Sequence, residues 1–163
     1  MSDYLTHLDD HGNARMVDIS EKPATRREAT AQAVVRMRPE TRALIERNAL
    51  AKGDALAIAR IAGILAAKRV DNLIPLCHTL PLATVQVDFQ FEEQGLIVRA
   101  VAATTAQTGV EMEALTAVTI AALTVYDMAK AVDKAMVIDD VRLLKKTGGK
   151  SGDFEAPTGQ QAS

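Results

Sequence analysis

The chain has 163 residues, 48% apolar and 25% charged, with a net charge of −2 and a pI near 5.9. That length provides one domain able to bury a core without metals or disulfides, and the near-balanced charge excludes recruitment of nucleic acid by a global basic field. A single cysteine excludes an intrachain disulfide framework, and no uninterrupted apolar run reaches the roughly 18 residues of a membrane span.

Residues 1–12, "MSDYLTHLDDHG", are polar and slightly acidic, unlike a signal or transit peptide. They predict a flexible N-terminus on a cytoplasmic protein. "ARMVDIS" predicts a short first strand. In "REATAQAVVRMR" the residues Ala29, Ala31, Ala33, Val35 and Met37 alternate with mostly polar ones, the period of a half-buried strand. Pro39 ends that strand and opens the helix "PETRALIERNAL". "KGDALAIARIAGILAAKR" predicts a second helix, with Gly53 in the turn and Asp54 as N-cap. It is apolar on nearly every side, which asks for burial against a second element or a second subunit.

"TVQVDFQF" and "LIVRAVAATT", joined by "EEQG", predict a hairpin. The longest helix follows in "TGVEMEALTAVTIAALTVYDMAKAV", where Thr108 and Glu111 have capping-box spacing. "KAMVIDDVRLL" predicts a last strand. Expected are a single domain over 13–154 that includes a mobile Gly/Lys loop at 145–153, and a tail without structure over 155–163. Strands and helices interleave around a clear hairpin, which predicts an α+β fold with helices on one face of an antiparallel sheet. Aromatics are only 3% of the chain, so its core is built from small aliphatic side chains.

In "DNLIPLCHTLPL" the only cysteine adjoins a histidine, between Pro75 and Pro81. In an extended segment neighbouring side chains point to opposite faces, so Cys77 and His78 do not make a thiolate–imidazole pair. No further ligands at useful spacing argue for a metal there, and Gly12 breaks the His7/His11 pair out of a helical context. His78 is a candidate site residue and Cys77 a candidate pocket wall.

Asp127 and Lys130 are three apart and share a helix face. Their partly apolar surroundings predict pKa values pushed toward neutrality, where acid–base work is efficient. Glu113 sits about 40° from Asp127 around the same helix but ~21 Å along its axis, which suggests a long ligand or sites completed by different subunits. "KKTGGKSG" is not a P-loop, because Leu144 stands where the first glycine is required and no helix follows. Its backbone and Lys145, Lys146 and Lys150 can still close over phosphates. On residues alone, Lys52 reads as a solvated loop lysine and Arg27 as a strand-edge charge, and both become candidates only where the fold gathers them.

"MVDISEKPATRREA", "KGDALAIARIAGILAAKR", "LIPLCH", "GVEMEALTA" and "KTGGKSGDF", in this order, resemble the MoaC family over residues 5–154. The resemblance implies a ferredoxin-like fold assembled as a homo-hexamer of three dimers, with active sites at dimer interfaces. It implies a lyase that converts 3′,8-cyclo-7,8-dihydro-GTP to cyclic pyranopterin monophosphate with release of pyrophosphate, early in molybdenum cofactor biosynthesis. Asp127 and Lys130 would be catalytic, with Lys52, His78 and Lys146 as further site residues. Leu76, Cys77, His78, Met112 and Glu113 would bind substrate. Arg27 and Lys150 would add cations for the triphosphate. No cofactor, metal, nucleic acid or membrane is implied. Thr79 departs from the family's usual proline after the histidine. A non-catalytic nucleotide- or metabolite-sensing module remains the alternative reading of the same cations.

Overall fold

The fold is known from a computed structural model that describes residues 8–9 and 11–157. His7 and most of the tail lie outside the described residues. Strand β1 (Thr25–Arg36) leads through α1 (Pro39–Glu46), α2 (Ala55–Ala67) and the short α3 (Val70–Leu73) to the hairpin β2 (Leu82–Glu92) and β3 (Gly95–Ala106). Helix α4 (Glu111–Ala129) then crosses to β4 (Val137–Thr147), and β5 (Phe154–Glu155) closes the edge. The sheet is antiparallel throughout, in the order β2-β3-β1-β4-β5. Helices α2 and α4 pack together over one face of it.

The alternation in β1 holds: Ala29, Ala31, Ala33, Val35 and Met37 are all buried. They meet α4 through Ala114, Ala117, Val118, Ala121, Ala122 and Val125, which are fully buried. Small side chains on both sides let helix and sheet approach closely, which is how so few aromatics suffice. At Gly63 the two helices also come close, since a Cβ on α2 there would lie 2.8 Å from the Ala117 carbonyl oxygen of α4. Helix α4 is long and apolar enough to cross a membrane by length and composition. The contacts of its inner face with the sheet and α2 account for that composition instead.

Helix α2 turns Ala55, Ala59, Gly63, Ala66 and Ala67 inward, so part of its apolar surface is satisfied within the chain. Ile58, Ile61 and Leu65 point out and are exposed, as are Leu73, which lines a surface depression with Leu65, and Leu123 of α4. Asp54 caps the helix as expected, accepting from Ala57 N–H at 2.9 Å.

Three sequence expectations fail. "ARMVDIS" is not a strand: only Ala14 bridges, to Leu8, and residues 15–19 run as an irregular segment bonded to His78 through the Val17 carbonyl. The capping box at Thr108 and Glu111 does not form, because the N-cap is Val110, without a side-chain cap bond, and buried Val110 fixes the entry of the chain. Strand β4 continues to Thr147, which confines the Gly/Lys loop to residues 148–153, and Phe154–Glu155 pair back onto β4.

Candidate active site

Lys52 lies in the loop before α2, and Gly53 with φ 94° turns the chain sharply after it. This delivers the ammonium to the C-terminal end of α4. There Lys52 Nζ donates to the Asp127 carboxylate and to the Asp127 backbone oxygen, both at 3.0 Å. Lys130 Nζ reaches the other carboxylate oxygen at 2.7 Å. One carboxylate thus sits between two ammonium groups, all about half exposed, with a local charge of +1. The terminal carbonyls of α4, which lack intrahelical partners, favour cations at the same place.

The electrostatics correct the sequence expectation for this pair. Hydrogen bonds from Lys130 and then Lys52 hold the Asp127 carboxyl below the usual carboxylate range, and the Asp127 bond holds Lys130 above the usual lysine range. The two values are driven apart, not toward neutrality, because opposite charges meet in water-exposed surroundings with little desolvation to oppose them. At neutral pH Lys130 is therefore an ammonium and Asp127 a carboxylate bonded to it.

The N-terminal end of α4 is chemically different. Glu113 is buried, 4% exposed, and its Oε2 has no hydrogen-bond partner among the described residues. Burial, with the charges of Glu111 and Asp71 adding, pushes its carboxyl up to about 7. Desolvation also raises the Cys77 thiol, helped by the charges of Glu113 and Asp71, which disfavours the thiolate. His78 bonds through Nε2 to the Val17 carbonyl at 2.7 Å. The segment is pinned further by Thr79 Oγ1 donating to Asp71 Oδ2 at 2.6 Å and by Thr104 Oγ1 donating to the Pro81 carbonyl at 2.6 Å. Thr79 thus supplies a hydrogen bond at a position where a ring would supply stiffness.

The Gly/Lys loop closes against the same end. Lys146 Nζ pairs with Glu111 Oε1 at 3.2 Å and donates to Ser151 Oγ at 2.6 Å. Arg27 reaches across from β1, its Nε and Nη2 donating to the carbonyls of Ala106 and Gln107 at 2.9 and 3.2 Å. Gly149, with φ 86°, passes so near the Arg27 guanidinium that a Cβ would come within 2.3 Å of it. Lys150 is exposed at the loop tip, Met112 is exposed in the first turn of α4, and Leu76 is half-buried beside Cys77.

Within one chain, then, the residues expected in the site form two groups. Lys52, Asp127 and Lys130 meet at one end of α4. Glu113, Cys77 and His78 gather toward the other end, where Arg27 and Lys146 hold the Gly/Lys loop. The fold does not join the two groups. Sequence reading missed Glu111, taken for a cap yet paired with Lys146, and Asp71, which receives Thr79 and bears on Glu113. Neither carries a local sequence signal, since each partner arrives from another element.

The chain resembles known proteins over nearly its whole length. It is 59% identical to a cyclic pyranopterin monophosphate synthase of Thermomicrobium roseum, over 91% of this chain and 90% of that one. It is 56% identical to the synthase of Parvibaculum lavamentivorans and 53% identical to that of Peptoclostridium acidaminophilum, each match covering 93% of this chain and 96% of the relative. The sequence model of the MoaC family matches residues 16–149, which span every site residue named above except Lys150 and Ser151. The chain belongs to the MoaC family.

Proposed function

We propose that the protein is a lyase that converts 3′,8-cyclo-7,8-dihydro-GTP to cyclic pyranopterin monophosphate and pyrophosphate in molybdenum cofactor biosynthesis. The Lys52–Asp127–Lys130 cluster carries the reading, because ring opening and reclosure need a placed proton donor and ring closure on the α-phosphate needs nearby cations. Asp127 orients Lys130, which donates protons at the reacting ring. Lys52 and Lys146, with Arg27 and Lys150, offset the charge of the triphosphate and of the pyrophosphate leaving group. Glu113, once ionised, accepts adjacent N–H donors of the guanine-derived ring, and Leu76, Cys77, His78 and Met112 line that end of the site. No cofactor or metal enters this scheme.

The fold is of the ferredoxin-like kind, with β-α-β-β-α-β connectivity in its four long strands, if the helices between β1 and β2 are counted as one crossover. The working form is a homo-hexamer of three dimers whose sites combine both groups of residues from different copies. Two features support an interface site: the ~21 Å between Glu113 and Asp127 along α4, and the exposed Ile58, Ile61, Leu65, Leu73 and Leu123. A two-fold axis that sets α4 antiparallel to its copy brings the C-terminal end of one helix to the N-terminal end of the other. A half-buried unpaired Cys77 fits a cytoplasmic setting.

The test is pyrophosphate release from 3′,8-cyclo-7,8-dihydro-GTP by the wild type and by Lys130→Ala. Release by the wild type, with a variant that binds substrate and leaves it unconverted, fits the lyase. A folded wild type that binds the nucleotide and releases nothing would favour the sensing module.

A further inference from the structure

His78 is tethered by a group that carries no side-chain signal. The irregular segment from Ala14 to Ser20 offers the Val17 backbone carbonyl to His78 Nε2 at 2.7 Å. Val17 and Ile19 are half-buried, whereas Asp18 between them is exposed and folds locally onto Ser20, with bonds of 2.9 and 2.6 Å. Lys22 N–H closes the segment onto the Ile19 carbonyl at 3.0 Å. The segment is thus a strap held down by alternate side chains, and its one long-range hydrogen bond among the described residues goes to the imidazole.

A carbonyl oxygen only accepts, so Nε2 must carry the hydrogen. In the neutral ring Nδ1 then bears the lone pair, and among the described residues nothing donates to it. Which ring nitrogen does chemistry is therefore set by what the other one is bonded to. We infer that the Val17 carbonyl is a positioning group: it fixes His78 as the Nε2–H tautomer and makes Nδ1 the nitrogen that accepts a proton from the substrate. The proton taken at Nδ1 gives an imidazolium still bonded to Val17 through Nε2, and the same atom returns it later in the cycle. The inference rests on His78 belonging to the substrate site, as proposed above.

The first test reads the tautomer directly, by nitrogen-15 NMR on full-length protein labelled at histidine, with His78→Gln to identify the signal. The expected neutral form carries its proton on Nε2. A proton on Nδ1, or rapid exchange between the two, overturns the inference, and this arm needs no turnover. The second test deletes the strap. Removal of residues 1–12 keeps Val17 and leaves kcat within about twofold, while removal of 1–19 in a protein that still melts cooperatively lowers kcat roughly 10–100-fold with little change in KM. An unchanged tautomer and unchanged kcat after the longer deletion overturn it.

His78→Gln decides even if that deletion does not fold. Glutamine keeps an N–H for Val17 but has no basic nitrogen, so turnover falls roughly 10²–10⁴-fold while amide exchange across residues 14–20 stays slow. Full activity in this variant would reduce His78 to a tether and sink the proposal. A wild type with the Nε2–H tautomer but no turnover would strike the lyase reading and the substrate role of Nδ1, and would leave the tether standing.

Discussion

The two ends of α4 use the same residue types to opposite effect. At the C-terminal end, Asp127 is half exposed between Lys52 and Lys130, and the ionic bonds hold the Asp127 carboxyl and the Lys130 ammonium in their charged forms. At the N-terminal end, Glu113 is buried with no salt-bridge partner among the described residues, and its carboxyl is pushed up to about 7. One end is a charge cluster whose members satisfy one another and leave a net positive charge. The other holds a buried carboxyl oxygen that has no donor among the described residues. Solvent access and the placement of lysines make the difference, and the backbone of a single helix fixes the spacing of both.

Breaking the charged end has the largest expected effect. Lys130→Ala removes the aimed proton donor, so turnover falls roughly 10²–10⁴-fold while substrate binding by calorimetry persists. An equal loss of binding would make the cluster a simple anion clamp and erase the contrast with the other end.

Glu113→Gln tests the buried end with an opposite pair of signs. The loss of a charged acceptor raises KM roughly 10–100-fold, with a smaller change in kcat. Stability moves the other way. A carboxyl raised from 4.5 to about 7 in the folded state binds protons more tightly there than in the unfolded chain. The wild type therefore loses stability as pH rises through that window and stays lower above it. Glutamine does not ionise, so the variant's Tm exceeds the wild type's above the window and matches it below. A constant Tm difference at every pH would show that Glu113 is not desolvated as described. Substrate affinity of the wild type, in turn, rises with pH across the same window, because only the carboxylate accepts two N–H donors.

The smallest effect sharpens the comparison further. Thr79→Val removes the 2.6 Å bond to Asp71 without changing shape, loosening the segment that presents Cys77 and His78. An exposed bond of this kind is worth a KM increase of about 2- to 10-fold, with Lys130-dependent chemistry untouched. A fall in kcat comparable to that of Lys130→Ala would mean that the two ends are not separable.

What the sequence disclosed followed the range of the interactions. Alternation across Ala29–Met37, the hairpin and the Asp54 cap depend on neighbours along the chain, and all three are present as read. The same local logic misread Glu111, since its partner Lys146 comes from the end of β4. It misread the ionisation of Asp127, since Lys52 joins from 75 residues away and turns a pair into a triad. "ARMVDIS" has the composition of a strand, yet it takes no place in the sheet and bonds to His78 instead. The helix spacing of Glu113 and Asp127 already set those two acids far apart, but the partners that gather at each end of α4, and the opposite state of the two carboxylates, became visible only in three dimensions.

The central claim is that one site is built from both ends of α4 in different copies. Complementation tests it most directly: Lys130→Ala and His78→Gln, each inactive alone, are co-expressed with different tags, and the mixed oligomers are isolated. If the ends combine across an interface, random pairing restores pyrophosphate release to about a quarter of the wild-type rate, because half the dimers are mixed and each of those holds one intact site. Mixed oligomers as inactive as either parent would contradict the account.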